Sequence, residues 1–278
     1  MEIKDLILPN TEILLFDTVK SKNLKKLARN LNIDYSIIKL WNNWVQINGI
    51  WYYYKNFYNY KNSIKNFLNE LIGEFLAFYL NLDTVTYHIG STINEKGEIE
   101  YGLLSENFRD KKEKYIIPTD LGLDLNCVSL DNILELKKIC KSNENYIQLT
   151  EQMFKMIAID IYMNQSNRSK NNFLFQKKRK QLYLSPLYDY EKAFIVSDER
   201  IDNLKYKACI FGVNIEDKSE INQYPEIKYL LDLLLSLDIN QIFDEISENH
   251  KLFIPVSERE EYKENVEKRK TLIKKCIK

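Results

Sequence analysis

Two stretches decide how this chain reads: MNQSNRSKNNFLF, from Met163 to Phe175, and LSPLYDYEKAF, from Leu184 to Phe194. The first is a polar, asparagine-rich loop held between apolar segments. Upstream lies a dense apolar helix from about Tyr146 to Met163, whose apolar groups run all round the axis and so predict burial. Downstream, QLYLSPLYDY (Gln181 to Tyr190) reads as a strand that breaks into a loop at an aspartate. A loop of this kind after a buried helix is a place where chemistry is displayed by a rigid scaffold.

Working outward, the first third alternates strand and helix signals. WVQINGIWYYYK (Trp44 to Lys55) places two β-rich runs around Asn48-Gly49, a strong hairpin signal. Ser63 to Leu80 carries apolar residues at helical spacing, from Ile64 and Phe67 to Tyr79 and Leu80. Thr84 to Gly90 and Glu98 to Ser105 read as strands joined near Glu95-Lys96-Gly97. The remainder is mainly helical. Pro225 opens a helix to Leu237, Ile239 to Asn249 forms another, and Ser257 with Glu260 has capping-box spacing at the start of a charged C-terminal helix. The expectation is an α+β, bilobal fold: a β-rich N-lobe over 1–110 and a helical C-lobe over 111–278. The boundary falls between Asn107 and Leu123, and a ligand cleft lies between the lobes.

Composition narrows the function. The chain has 278 residues, with 40 Lys+Arg against 40 Asp+Glu, so no bulk attraction to nucleic acid or an anionic membrane is expected. Direct nucleic-acid binding and membrane association are therefore not expected. The start of the chain, MEIKDLILPN, lacks a secretory h-region, and LLDLLLSLDI (Leu230 to Ile239) is too short and too acidic to span a bilayer. Cys127, Cys140, Cys209 and Cys276 show no CxxC spacing and read as free thiols of a cytoplasmic protein. With only His88 and His250, a zinc site or a histidine triad has little material. The 7 glycines form neither GxGxxG nor GxxxxGK[ST].

Phosphoryl transfer from ATP needs a strand lysine on the phosphates, a helix glutamate that orients it, a group at the attacking hydroxyl, and an Asn and an Asp for Mg²⁺. Candidates occur in that order. Lys55 ends IWYYYK, and Glu70 follows on the first helix, with Glu74 as a rival one turn on. Asn167-Arg168 and then Asn172 match the D-x-x-x-x-N spacing of a kinase catalytic loop, except that Asn stands for Asp. Asp189 follows after a strand.

These residues resemble the HipA-like serine/threonine kinases, the toxin family of bacterial toxin–antitoxin modules. The resemblance runs from about Trp44 to Phe194. It rests on the loop from Asn167 to Asn172 with Asp160 in the preceding helix, on Ser185 to Asp189 (SPLYD), on NELIGEFLAFYLNLDTVTY (Asn69 to Tyr87), and on GLLSENF (Gly102 to Phe108) as a hinge. It implies transfer of the ATP γ-phosphate to a protein Ser or Thr. Asn167, Arg168, Asn172 and Asp189 would form the catalytic set, with Asn172 and Asp189 binding Mg²⁺. Lys55, Glu70, Leu104, Ser105 and Glu106 would bind ATP. A protein substrate and a helix-turn-helix antitoxin are the implied partners.

Two departures stand out. The family's catalytic Asp is Asn167 here and its His is Ser169. An amide does not accept the substrate's proton as a carboxylate does, and general-base catalysis is worth ~10²–10⁴-fold, so turnover should be heavily reduced. A natural pseudokinase and an engineered inactivation both fit. The second departure is the absence of glycine in DYSIIKLWNN (Asp34 to Asn43), where a phosphate loop belongs. Ser36 is a candidate for autophosphorylation there. Other readings exist. Asn23 to Trp41 resembles a helix-turn-helix, with Lys22, Lys25, Lys26 and Arg29 toward phosphates, and would make a DNA-binding regulator. It reads more simply as a helical elaboration of the small lobe. WYYYKNFYNY (Trp51 to Tyr60) reads as strand packing ahead of base stacking. A small-molecule phosphotransferase would use the same fold.

Overall fold

The computed structural model describes residues 1–16, 29, 43–57, 62–94, 96–109, 112–123, 131–165, 168, 172–190, 193–194 and 218–278. Asn167, Ser169, Ser36, Cys127, Cys209 and the 23–41 segment apart from Arg29 lie outside the described residues.

The first sheet has the strand order β1-β4-β5-β3-β2. These are β1 (Ile13–Leu15), β2 (Trp44–Ile47), β3 (Ile50–Asn56), β4 (Tyr87–Ile93) and β5 (Ile99–Glu106). The β1–β4 pair is parallel and the others are antiparallel. The Asn48-Gly49 hairpin forms as expected, with φ of 51° and 85° at the two turn residues. Positive φ at both positions is what lets a two-residue turn match the strand twist. Alternation along β3 then sorts its side chains. Tyr52 and Tyr54 pack with Phe16, Val45 and Leu104 in a small cluster on one face. Tyr53 and Lys55 point the other way, into a cleft.

Helix α1 (Ser63–Tyr79) crosses behind that sheet, with Leu80 as its C-cap. Its middle, from Asn66 to Gly73, is buried on every side, because α1 is sandwiched between the sheet and the later helices α3 (Asn143–Met163) and α6 (Ile239–His250). A single apolar core runs from Leu6 and Phe67 through Ile157 and Phe243 to Ile273, so both halves of the chain share it.

Strand β4 starts at Tyr87 rather than Thr84. Thr84 and Val85 are instead tied to Leu187 by a bridge and by the Val85 N–H to Leu187 carbonyl bond of 3.0 Å. The second sheet is β6 (Lys114–Ile116), β7 (Phe175–Lys178) and β8 (Gln181–Leu184). The outer edge of β8 is closed by amides of α3. Asn145 exchanges two hydrogen bonds with the Leu182 backbone, and Gln152 accepts from the Leu184 N–H at 3.0 Å. An edge satisfied this way does not invite another strand.

Helix α2 (Asp131–Ile139) precedes α3, and α4 (Lys218–Asn222) and α5 (Pro225–Ser236) precede α6. The last helix, α7 (Val256–Ile277), begins two residues after Ile254, with Pro255 at its N-cap and no side-chain cap. The Ser257–Glu260 capping box is therefore not used. Proline at that position already sets the chain entering the helix. The 3₁₀ turn Ile3–Leu6 packs far along the sequence: the Phe253 N–H donates to the Leu6 carbonyl at 2.7 Å. Among the described residues no helix is long and apolar enough to cross a membrane.

Candidate active site

The site is built where β3, α1, the loop after α3 and the segment after β8 converge. Lys55 comes from the cleft face of β3, one residue before the strand ends. Its Nζ lies 2.5 Å from Glu70 Oε1 and 2.7 Å from Asp189 Oδ1. Glu70 is fully buried, while Lys55 and Asp189 are partly buried, with 14% of each side chain exposed. A cation between two carboxylates in a cleft of low dielectric is held strongly and in one place. Glu74, the rival, lies behind the helix: it accepts from the Tyr87 N–H at 3.1 Å and faces His250 Nε2 at 3.2 Å. Glu70, and not Glu74, is the glutamate paired with Lys55.

Asp189 has φ 67°, in the left-handed region where a non-glycine residue needs a reason. The reason is local. The Gln165 amide donates to the Asp189 carbonyl at 2.7 Å, holding the backbone while the carboxylate turns to the cleft.

Arg168 is the organising residue of the loop. It is fully buried and forms a fork to Asp160, with Nε and Nη2 each 3.0 Å from a carboxylate oxygen. Its Nη1 donates to the Asn172 carbonyl (2.9 Å) and to the Tyr188 carbonyl (2.6 Å). The Tyr190 ring covers its guanidinium at 4.8 Å. One planar cation therefore ties the end of α3, Asn172 and the residue before Asp189. The bidentate geometry is available to Arg and not to Lys.

The cleft encloses about 300 Å³ and is lined by Lys55, Ser105, Glu106, Asn172 and Asp189, with Trp44, Tyr53, Phe108 and Tyr188 as its aromatic walls. Five of the candidate residues thus meet in one cavity, and Glu70 and Arg168 hold it from behind. Leu104 does not belong there. It has neighbours on both sides in the sheet, Tyr54 and His88, and its side chain enters the cluster on the far face. Alternation along β5 turns the Leu104 side chain away from the cleft, and Ser105 and Glu106, at the end of the strand, border it. Asn167 is outside the described residues.

Sequence reasoning missed Trp44, Arg109, Gln165 and Tyr87. Arg109 lies over the Phe108 ring at 4.7 Å and toward Trp44 at 5.9 Å, forming a stacked rim. The sequence signal for that rim was an arginine directly after the GLLSENF hinge.

The oxygen donors Asn172 and Asp189 suit a hard cation such as Mg²⁺, which typically takes one or two protein ligands and completes its shell with phosphates and water. Among the described residues no three His, Cys, Asp or Glu side chains converge as a metal cage.

A sheet lobe, a helix presenting a glutamate to a strand lysine, and an Asn/Asp pair across a cleft define the class: a protein-kinase-like fold. Solved structures place it more closely. The Helicobacter pylori proinflammatory kinase CtkA matches with a TM-score of 0.61 at 13% identity, over 84% of this chain and 91% of that one. HipA of Shewanella oneidensis, solved with HipB and its operator DNA, matches with a TM-score of 0.50 at 14% identity, over 99% of this chain and 73% of that one. The chain has the HipA-like kinase fold. No protein-family model matches the sequence, and no curated protein sequence is similar to it.

Proposed function

We propose that this chain is a HipA-like phosphotransferase scaffold that binds ATP with Mg²⁺ and acts toward a protein serine or threonine, with turnover suppressed by Asn167. The observation that carries the reading is Lys55 Nζ bridging Glu70 and Asp189 at the base of the cleft. Lys55 would meet the α/β-phosphates, Ser105 and Glu106 would border the adenine, and Asn172 and Asp189 would hold the metal. The bound metal would neutralise charge on the phosphates. Arg168 would keep Asn172 and Asp189 in register. A toxin role with a helix-turn-helix antitoxin draws on the likeness to HipA, which was solved with HipB.

Asn167 also favours a second reading, a pseudokinase that binds nucleotide and acts through partners. Calorimetric titration with ATP and Mg²⁺ tests what both share, and absence of binding would sink both. Phosphate transfer by Asn167→Asp separates them. The kinase reading expects a gain of ~10²–10⁴-fold over the parent chain. No gain, with ATP binding retained, leaves the pseudokinase.

A further inference from the structure

Tyr87 is the residue through which β4 grips α1 at two successive turns. It opens β4 and is 3% exposed. Its backbone N–H donates to Glu74 Oε1 at 3.1 Å, and its hydroxyl donates to Glu70 Oε2 at 2.5 Å. Glu70 therefore has both oxygens engaged: one by Lys55, the other by Tyr87. The other Glu74 oxygen lies 3.2 Å from His250 Nε2 at the end of α6, without a hydrogen bond between them.

This matters because Lys55 is shared. Glu70 and Asp189 hold the same ammonium at 2.5 and 2.7 Å. Where Lys55 sits depends on which carboxylate is better anchored. If Glu70 swings, the ammonium moves toward Asp189 and loses the position from which it would reach phosphates. The Tyr87 hydroxyl is the second anchor that prevents the swing. Burial, with Glu70 alongside, pushes that phenol well above its ordinary range, so it stays a donor throughout the neutral range.

We propose that Tyr87 is a positioning residue for the Glu70–Lys55 pair, acting through the Glu70 Oε2 hydrogen bond to hold Lys55 in its nucleotide-binding place. The inference rests on the ATP-binding reading above. A purely structural tyrosine would fill the core equally well as phenylalanine, and the nucleotide would not sense the change.

The experiment is a thermodynamic cycle on the full chain: parent, Tyr87→Phe, Glu70→Gln and the double variant, each titrated with ATP and Mg²⁺. Melting curves confirm that each variant is folded. The expected result is an ATP affinity about tenfold weaker in Tyr87→Phe, which is ~1.4 kcal/mol. Glu70→Gln is weakened at least as much, and the double variant is no weaker than Glu70→Gln alone. An unchanged affinity in Tyr87→Phe, or losses that multiply in the double variant, would overturn the proposal while leaving the ATP reading standing. A parent chain that binds no ATP would remove both.

Discussion

Gly73→Ala should destabilise this protein, against the rule for helix interiors. Alanine is normally preferred over glycine there by about 1 kcal/mol. At Gly73, however, an added Cβ would stand 2.2 Å from Tyr190 Cγ and 2.3 Å from Cδ2. Carbon atoms settle at ~3.5–4.0 Å, so the helix or the ring must give by more than ~1 Å. The ring has little room: Tyr190 is fully buried and lies against the Arg168 guanidinium at 4.8 Å, itself fixed by Asp160. Overpacking of this kind costs ~1–3 kcal/mol and exceeds the propensity gain. A contact this close belongs at the upper end of that range, so the expected net loss is up to ~2 kcal/mol, or up to roughly 4–8 °C in melting temperature. Because Glu70 lies one turn earlier on α1, the proposed affinity for ATP should weaken in parallel. The assay is a double-mutant cycle by thermal and urea unfolding. With Tyr190→Ala as background, Gly73→Ala should become neutral or stabilising by up to ~1 kcal/mol, a coupling of ~2–3 kcal/mol. A higher melting temperature for Gly73→Ala in the otherwise native chain, or strict additivity with Tyr190→Ala, would refute the close approach of α1 to the segment after Asp189.

Two further outcomes follow from buried charge and buried phenols. Asp160→Asn keeps the shape of the side chain and leaves Arg168 buried without its counter-charge, which should cost ~3–5 kcal/mol in urea unfolding. A loss under ~1 kcal/mol would mean that water reaches the guanidinium. At alkaline pH, burial pushes Tyr188 up to about 12, and Tyr54, Tyr87, Tyr162, Tyr190 and Tyr262 are also raised chiefly by burial. Folded pKa values above the unfolded value of about 10 mean that the native state holds protons the unfolded state releases. Their contribution is therefore complete below pH ~10 and is lost as pH rises through the folded values. A spectroscopic tyrosine titration should show these six ionising only with cooperative unfolding. Smooth ionisation of all 19 tyrosines near pH 10 would contradict the burial.

Much of the site was legible because its parts have local signatures. Asn48-Gly49 announced the hairpin that sets the face of Lys55, and the apolar rhythm of Ser63 to Leu80 announced α1. What failed was decided by register and distance. Leu104 was assigned to the cleft because a hinge was read as a stretch, whereas pairing with Tyr54 and His88 fixes which residues of β5 face inward. Tyr87 gave no local signal, since its partners Glu70 and Glu74 lie 17 and 13 residues back along the chain.

A stronger signal was present in α1 and is general. Within its apolar middle, Asn69, Glu70 and Glu74 are polar and Gly73 is a poor helix former, and each is costly there without compensation. The structure gives each a buried counterpart. Asn69 donates to the Ala193 carbonyl and accepts from the Tyr262 hydroxyl, and Glu70 meets Lys55 and Tyr87. Gly73 admits the Tyr190 ring, and Glu74 meets Tyr87 and His250. The partners come from β3, β4, the segment after Asp189, α6 and α7. At these four positions the polar or small residue that breaks the apolar helix marks a point where another element docks. Of the four, Glu70 is the one that touches Lys55, so Glu70→Gln should disturb the lysine directly, whereas substituting Asn69, Gly73 or Glu74 should first loosen the packing behind it.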